Sequence, residues 1–533
     1  MVVDLIDSKI AAAIDKYTIE ELKVPSLILM EEAARFSYEQ IVSAFKKDAR
    51  ILVVCGGGNN GADGLAMARM LILTGFRNTD IILLGNKFSE QNKTQQELLK
   101  RLNPCYKTID DIDFNNNYDL IVDAIFGVGL SRYIEGIYKT VIEKINLIHE
   151  KHKILVYALD VPSGVDASTG RILGIAIKAD KTFTFGFEKI GLRCGNGYLY
   201  AGEIKRTPIG LNDKERLHEI SMHNPDSTYN IFKQIGTVIG IGGNMLQDKE
   251  NKDLVDVLDK RKVGGNKGSY GKVSIIAGSK NIGGAAILSS ITAYRMGVGM
   301  VKVLTHKNNR DAILNAIPEC LIETYENDID DFRIKETLQF GDICILGPGL
   351  STDSVAIKIT EYVLDNRSDK PLIIDADAIN IIAANNLTDK LIRASNKGNY
   401  PIIITPHLKE MERLSGIDLL EIKSDSVNIT QKMAKKLHVI CCLKDAKTVV
   451  SDGNNTYINL AGNDGMGTAG SGDVLTGVFA GVLSYGFKDM LRASILAINL
   501  HACAGDLAAE YVSKEYMVAT DMAKFIDKAI KTR

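Results

Sequence analysis

What this sequence has little of narrows it first. Its 8 cysteines, at positions 55, 105, 194, 320, 344, 441, 442 and 503, include no metal-type Cys-x-x-Cys pair and sit mostly in apolar runs. Buried free thiols in a reducing compartment are therefore expected, and a zinc site is not. Neither sign of charge dominates, with 64 Lys plus Arg against 66 Asp plus Glu and a formal charge of −2. That balance excludes a bulk positive field for nucleic acid or anionic lipid, so any nucleotide must be held locally. No apolar stretch reaches the ~20 residues that a membrane span needs. The start, Met1-Val2-Val3-Asp4-Leu5, shows no basic region followed by an apolar one, so no membrane partner and a cytoplasmic location are expected. Proline is scarce, at 10 of 533 residues, and the hydrophobic share is 45%, so disorder is not expected to dominate.

At about 100–200 residues per domain, a chain this long divides into two or more units. Short β-branched runs alternate with helical patterns: Ile51 to Val54, Ile81 to Leu84, Leu120 to Asp123 and Ile154 to Tyr157. Continuous apolar strands between helices predict a parallel sheet covered on both faces, here a Rossmann-like, doubly wound first half. From Leu211 to about Gln234 the sequence turns polar, and 248–262 is a charged run that reads as a solvated helix. The alternation then resumes with Val273 to Ile276, Ile343 to Leu346, Leu372 to Asp375 and Ile402 to Ile404. Residues 1–215 and 266–533 are thus expected as two α/β domains, with 216–265 as a polar joint.

The sharpest chemical signal lies late in the chain. Asn463-Asp464-Gly465-Met466-Gly467-Thr468-Ala469-Gly470-Ser471-Gly472-Asp473 precedes an apolar run of helical length, Val474 to Leu483. Glycines at a helix start expose unpaired amides to phosphate oxygens. Asp473 would repel phosphate, so its use there is to accept a proton from a substrate hydroxyl. A plain helix entry with a capping residue remains the alternative. Upstream, Gly347-Pro348-Gly349-Leu350, the carboxylates of Asp375-Ala376-Asp377, and Thr405-Pro406-His407 each end a strand. Such ends are where α/β enzymes bind ligands. His407 could equally satisfy backbone groups at its own turn.

These segments, with Lys267-Gly268-Ser269-Tyr270-Gly271, Gly283-Gly284-Ala285-Ala286 and Leu443-Lys444, resemble the ADP/ATP-dependent NAD(P)H-hydrate dehydratases of the ribokinase-like superfamily, from about Asn266 onward. The resemblance implies a ribokinase-like α/β/α domain that removes water from a damaged reduced nicotinamide at the expense of ADP or ATP. Mg²⁺ would bridge the phosphates, and Asp473 would act as the base. It also implies that Ala286, Gly349 and His407 line the hydrated dinucleotide, NADHX or NADPHX. Lys444, Asp445, Ala446, Lys447 and Thr448, with Gly470, Ser471 and Gly472, would meet the nucleotide. The family pattern is Lys-Gly-Ala-Gly-Thr, so Asp445 and Lys447 are departures, as is Asn266 where His is common.

In the first half a strand runs into Cys55-Gly56-Gly57-Gly58-Asn59-Asn60-Gly61-Ala62-Asp63-Gly64 and then a helical pattern. This is not the dehydrogenase fingerprint of G-x-G-x-x-G followed by a ribose-binding acid. The Asn pair adds carbonyl oxygens suited to a hard monovalent cation or a ribose. Three further strand ends converge: Asp123 to Leu130, Asp160-Val161-Pro162-Ser163-Gly164, and Phe183 to Lys189. Together they resemble the NAD(P)H-hydrate epimerase domain over about 1–210, with Ala62 where Gly is usual. That resemblance implies interconversion of the two epimers of the hydrate and a bound K⁺ held by Asn60, Asp123 and Ser163. It places Asn59, Asn60, Gly61, Ala62, Asp63, Gly127, Val128, Gly129, Leu130, Ser131, Arg132, Tyr133 and Asp160 against the substrate. Moving a stereocentre through an opened or dehydrated ring needs a proton donor and acceptor. Asp160 is the candidate acid–base group, and Lys189 is either its assistant or a solvated loop lysine. A fused repair enzyme, expected as a homo-oligomer, is the leading reading. The alternatives are a ribokinase-like kinase with a regulatory first half and a first half that only binds.

Overall fold

The computed structural model describes residues 2–111, 118–223, 228–247, 257–258 and 264–531. The chain forms two compact units, one of Asp4–Val238, the other of Met1–Val3 with Ile239–Arg533.

The first unit is built on a seven-stranded sheet in the order Cys105–Lys107, Thr79–Leu83, Ile51–Cys55, Leu120–Ala124, Leu155–Leu159, Lys181–Phe185, Glu203–Thr207. Every pairing in it is parallel. The two central strands are buried at all five positions, as unbroken apolar runs covered on both faces must be. Chain order proceeds outward in opposite directions from this central pair, so Gly56 to Asn60 and Ile125 to Leu130 leave the sheet at a topological switch point. Helices there diverge and leave a crevice. The helix Asn59–Leu73 buries Leu65, Met67 and Leu71 against the sheet, and truncating Leu65 to Ala would cost about 2–5 kcal/mol. Gly61 permits that approach, because a Cβ there would stand 1.8 Å from the Gly56 carbonyl oxygen.

The polar stretch beyond Leu211 folds onto this same unit. Lys214–His223 is helical and Thr228–Gln234 a 3₁₀ turn. Leu217, Phe232 and Ile235 pack with Ile6, Ile10 and Ile14 of the N-terminal segment. A few well-spaced apolar side chains suffice to attach an otherwise charged segment. Apart from Val257 and Leu258, the charged run at 248–262 lies outside the described residues.

In the second unit the strands run Leu321–Tyr325, Met300–His306, Lys272–Ile276, Ile343–Leu346, Leu372–Ile374, Ile402–Ile404, Val439–Leu443. All are parallel, and an antiparallel pair, Val449–Ser451 and Thr456–Asn459, extends them. Alternate residues serve opposite faces. Ile275, Ile345, Ile373 and Ile403 meet Phe479 and Leu496 on one side, while Ile276, Leu346, Ile374 and Ile404 meet Ile359 and Met411 on the other. This is the three-layer α/β/α arrangement.

Candidate active sites

The first site is a cavity of about 1060 Å³ at the carboxyl end of the first sheet. Among the expected contacts, Asn59, Asn60, Asp63, residues 127–132 and Asp160 line it. Three others are displaced by the structure. Gly61 and Ala62 are buried because their face of the helix packs on the Gly56 turn and the sheet. Tyr133 is 63% exposed and is not part of the cavity wall.

Asp160 follows strand Leu155–Leu159 with φ +62°, a left-handed conformation that costs a non-glycine residue about 1 kcal/mol or more. The turn is locked from several sides. Its amide donates to the Phe183 carbonyl at 2.7 Å, Oδ2 accepts the Val128 amide at 3.2 Å, and Oδ1 accepts Lys189 Nζ at 2.6 Å. Lys189 also donates to the Phe185 carbonyl at 2.7 Å and to Thr184 Oγ1 at 3.1 Å, which uses all three ammonium protons. At 3% exposure it is not a solvated loop lysine, and that alternative is corrected. Two more carboxyls face this pair. Burial pushes Asp15 up to about 6, with Lys189 opposing. Burial, with the charges of Asp160 and Asp15, pushes Asp63 well above the ordinary carboxylate range. Sequence reasoning passed over Asp15; its only signal is an acid next to Ile14 on a helix that buries Ile10, Ala11, Ile14 and Thr18.

Asp123 and Ser163 lie buried beneath the cavity. Ser163 donates to Asp123 through its amide at 2.7 Å and its hydroxyl at 2.6 Å, and Phe126 N donates to Ser163 Oγ at 2.8 Å. Burial still pushes Asp123 up to about 6. Asn60 has both amide atoms buried with no hydrogen-bond partner, and its Cγ would stand 3.2 Å from a Cβ placed on Gly127, next along the chain from Phe126. An orphaned carbonyl oxygen close to a buried carboxyl and a hydroxyl is a donor set that a hard monovalent cation fits.

The second site gathers four strand and helix ends. Asp375 follows Leu372–Ile374, Thr405 follows Ile402–Ile404, Lys444 follows Val439–Leu443, and Gly470 leads into helix Ser471–Ser484. Lys444 Nζ meets Asp375 Oδ1 at 2.6 Å, and Thr405 Oγ1 donates to the same oxygen at 2.7 Å. A Cβ on Gly472 would stand 3.3 Å from Lys444 Nζ and 3.6 Å from Asp375 Oδ2, so the helix start and the ion pair share one spot. Gly470 has φ +89°, a turn that glycine makes without strain. Asp473 is pushed up to about 7, chiefly by burial and then by the Asp375 charge, with Lys444 opposing. Burial likewise lifts Glu410 to about 7. His501, buried on helix Met490–Tyr511, makes a backbone hydrogen bond to Ser471 and is held down near 4 by burial. Asp375 was legible as a strand-end carboxylate, whereas Glu410 and His501 carried no readable signal in the sequence.

His407 caps helix Leu408–Ser415, its Nδ1 accepting the amides of Lys409 at 3.1 Å and Glu410 at 3.2 Å. Its ring is half-exposed and its Nε2 lies 3.2 Å from Glu410 Oε1, so it satisfies backbone groups and still presents an edge to the site. Gly349 sits at φ +59°, with the Ile282 and Ala285 side chains where its Cβ would be. Ala286 is fully buried, on a helix that packs on Ser471–Ser484, where Gly477 admits the Ser289 carbonyl. In the turn that contains 444–448, Lys447 Nζ donates to the Leu460 carbonyl at 3.0 Å, while Ala446 is exposed. Asn266 forms a capping box with Ser269.

Comparison with known proteins places both halves of the chain among matched families. Residues 273–528 match the family described as NAD(P)H-hydrate dehydratase, and 26–191 match the family described as YjeF-related protein N-terminus. The bifunctional NAD(P)H-hydrate repair enzyme of Moorella thermoacetica is 32% identical, over 97% of this chain and 95% of that protein. The one from Escherichia coli is 30% identical over 94% and 89%. A ribokinase-like superfamily protein of Enterococcus faecalis superposes with a TM-score of 0.47 at 26% identity, over 53% of this chain and 94% of that one. The chain belongs to the bifunctional NAD(P)H-hydrate repair enzyme family. No helix among the described residues is long and apolar enough to cross a membrane.

Proposed function

We propose that this chain repairs hydrated NADH and NADPH, its first unit interconverting the R and S epimers and its second returning the S epimer to NAD(P)H while ADP or ATP is hydrolysed. The observation that carries the reading is the placing, at one helix start beside the Lys444–Asp375 pair, of the glycine turn Gly470–Gly472 and a carboxyl raised to about 7. The amides attract the phosphoryl group. Asp473, poised between its charge states at neutral pH, takes the proton of the ring hydroxyl. Phosphorylation turns that poor leaving group into a good one, and the site needs only positioning and electrostatics to promote the transfer. A kinase reading has no matching feature in the first unit.

Within the first unit, Asp160 is the acid–base group facing the hydrate, and Lys189 holds it in place at 2.6 Å. K⁺ would be held by Asn60, Asp123 and Ser163; it would neutralise the buried carboxylate and fix the Phe126–Gly127 turn that lines the cavity. Mg²⁺ would enter with the nucleotide and offset the negative charge of its phosphates. None of the eight cysteines, all among the described residues, is in a disulfide, which supports a reducing cytoplasmic setting, and a homo-oligomer is the assembly we expect.

The test is incubation of the intact protein with mixed epimers of hydrated NADH plus ADP or ATP, following the absorbance of reduced nicotinamide. Full recovery is expected with one of the nucleotides. No recovery with either, or a phosphorylated product that accumulates, overturns the reading.

A further inference from the structure

The cavity of the first unit holds more acid than its chemistry has so far used. Asp15, Asp63, Asp160 and Lys189 all line it. Only Asp160 is ion-paired, at 2.6 Å, with both side chains nearly sealed from solvent at 12% and 4% exposure. One ammonium balances one carboxylate. The other two carboxyls face that pair from helices Ser8–Glu20 and Asn59–Leu73, among Ile6, Ala11 and Ile14, where a second uncompensated negative charge is costly. Burial there pushes Asp15 up to about 6, so a carboxyl that can trade a proton near neutrality stands across the same space from the Lys189–Asp160 pair.

The geometry points to Asp15 as the second acid–base residue of the epimerase site, which hands a proton to the ring nitrogen while Asp160 withdraws one from the ring hydroxyl. Water adds to an enamine at the carbon next to nitrogen, so the hydroxyl and the nitrogen share that carbon. As Asp160 takes the hydroxyl proton, the oxygen pair forms a carbonyl and the carbon–nitrogen bond breaks. Its electrons move to nitrogen, which Asp15 protonates. Rotation of the freed aldehyde and the reverse sequence close the ring on the other face and return both protons, so nothing is consumed. Asp15, near 6, can give and recover a proton around neutrality. Asp63 is pushed up by burial and by the charges of Asp160 and Asp15. The groups facing Asp15 are Lys189, Asp160 and Asp63.

This inference rests on the epimerase reading, and one experiment separates their failures. The R hydrate is supplied to the intact protein and its conversion to S is followed chromatographically, with S dehydration measured in parallel. For Asp15→Asn, kcat for epimerisation is expected to fall about 100-fold with KM within threefold, the limb of its pH profile near 6 lost, and S dehydration unchanged. Asp15→Glu should restore part of the rate. Epimerisation by Asp15→Asn at the parent rate, or a loss through KM alone with the pH profile intact, overturns the role of Asp15. A parent protein that leaves the R epimer at its uncatalysed rate removes the epimerase reading and this role with it.

Discussion

Lys189–Asp160 in the first unit and Lys444–Asp375 in the second both close at 2.6 Å, yet they leave different carboxyls free to react. In the first, the paired aspartate itself lines the cavity, so the lysine fixes the position of the reactive group. In the second, the pair takes Asp375 into a structural contact with Thr405, and Asp473, unpaired beside it, is driven up to about 7. A lysine can orient the reactive carboxylate directly, or it can occupy one carboxylate so that a neighbour becomes the base. The second arrangement gives a base whose proton affinity matches neutral pH.

The largest expected effect is that of Asp473→Asn, which should lower S dehydration about 1000-fold and leave R-to-S conversion alone. An equal loss in both activities would break the division between the units. Next come the lysines, compared by urea denaturation. Lys189→Met strands a sealed carboxylate and should cost about 3–5 kcal/mol. Lys444→Met should cost less, about 2 kcal/mol, because that side chain is 20% exposed. Equal costs would show that the two pairs are not differently sealed.

pH dependence sharpens the same contrast. With Asp473 near 7 in the fold, kcat/KM for dehydration should fall about tenfold per pH unit below that value, and Lys444→Met should move the limb to higher pH, since Lys444 opposes the shift. The stability sign follows from linkage. A carboxyl raised from its ordinary 3.8 to about 7 binds more protons folded than unfolded between those values, so stability drains away as pH rises through that window. Asp473→Asn should therefore be about 2 kcal/mol more stable than the parent at pH 8 and no more stable at pH 3. The smallest effect belongs to Asp506→Ala. Asp506 accepts the Gly462 amide and Asn463 Nδ2, each at 2.9 Å, and steadies the loop before Gly470. Because it is exposed, its loss should cost under about 1 kcal/mol, with a roughly threefold higher nucleotide KM.

Much of the fold was legible. Ile51–Cys55, Leu120–Ala124, Ile343–Leu346 and Ile402–Ile404 are buried at every position, and such strands must be written as unbroken apolar runs. Edge strands were not legible. Leu321–Tyr325 and Glu203–Thr207 close their sheets with Glu323, Lys205 and Arg206 in the strand, because an edge tolerates charge and is protected by it. The segment after Leu211 misled for a related reason: its attachment depends on Leu217, Phe232 and Ile235, spaced too widely to read as a core.

The sequence by itself determined two parallel α/β layers, the glycine turns at their carboxyl ends, and Asp160 and Asp473 at those turns, since strand burial and helix starts leave local patterns. Only the tertiary structure decided that Lys189 is sealed against Asp160, that Asp15 joins it from helix Ser8–Glu20, and that Lys444 engages Asp375 and so leaves Asp473 free. Those facts concern which charges share a low-dielectric space, and residues 29, 145 and 69 positions apart in the chain meet there only when distant strands and helices close around them.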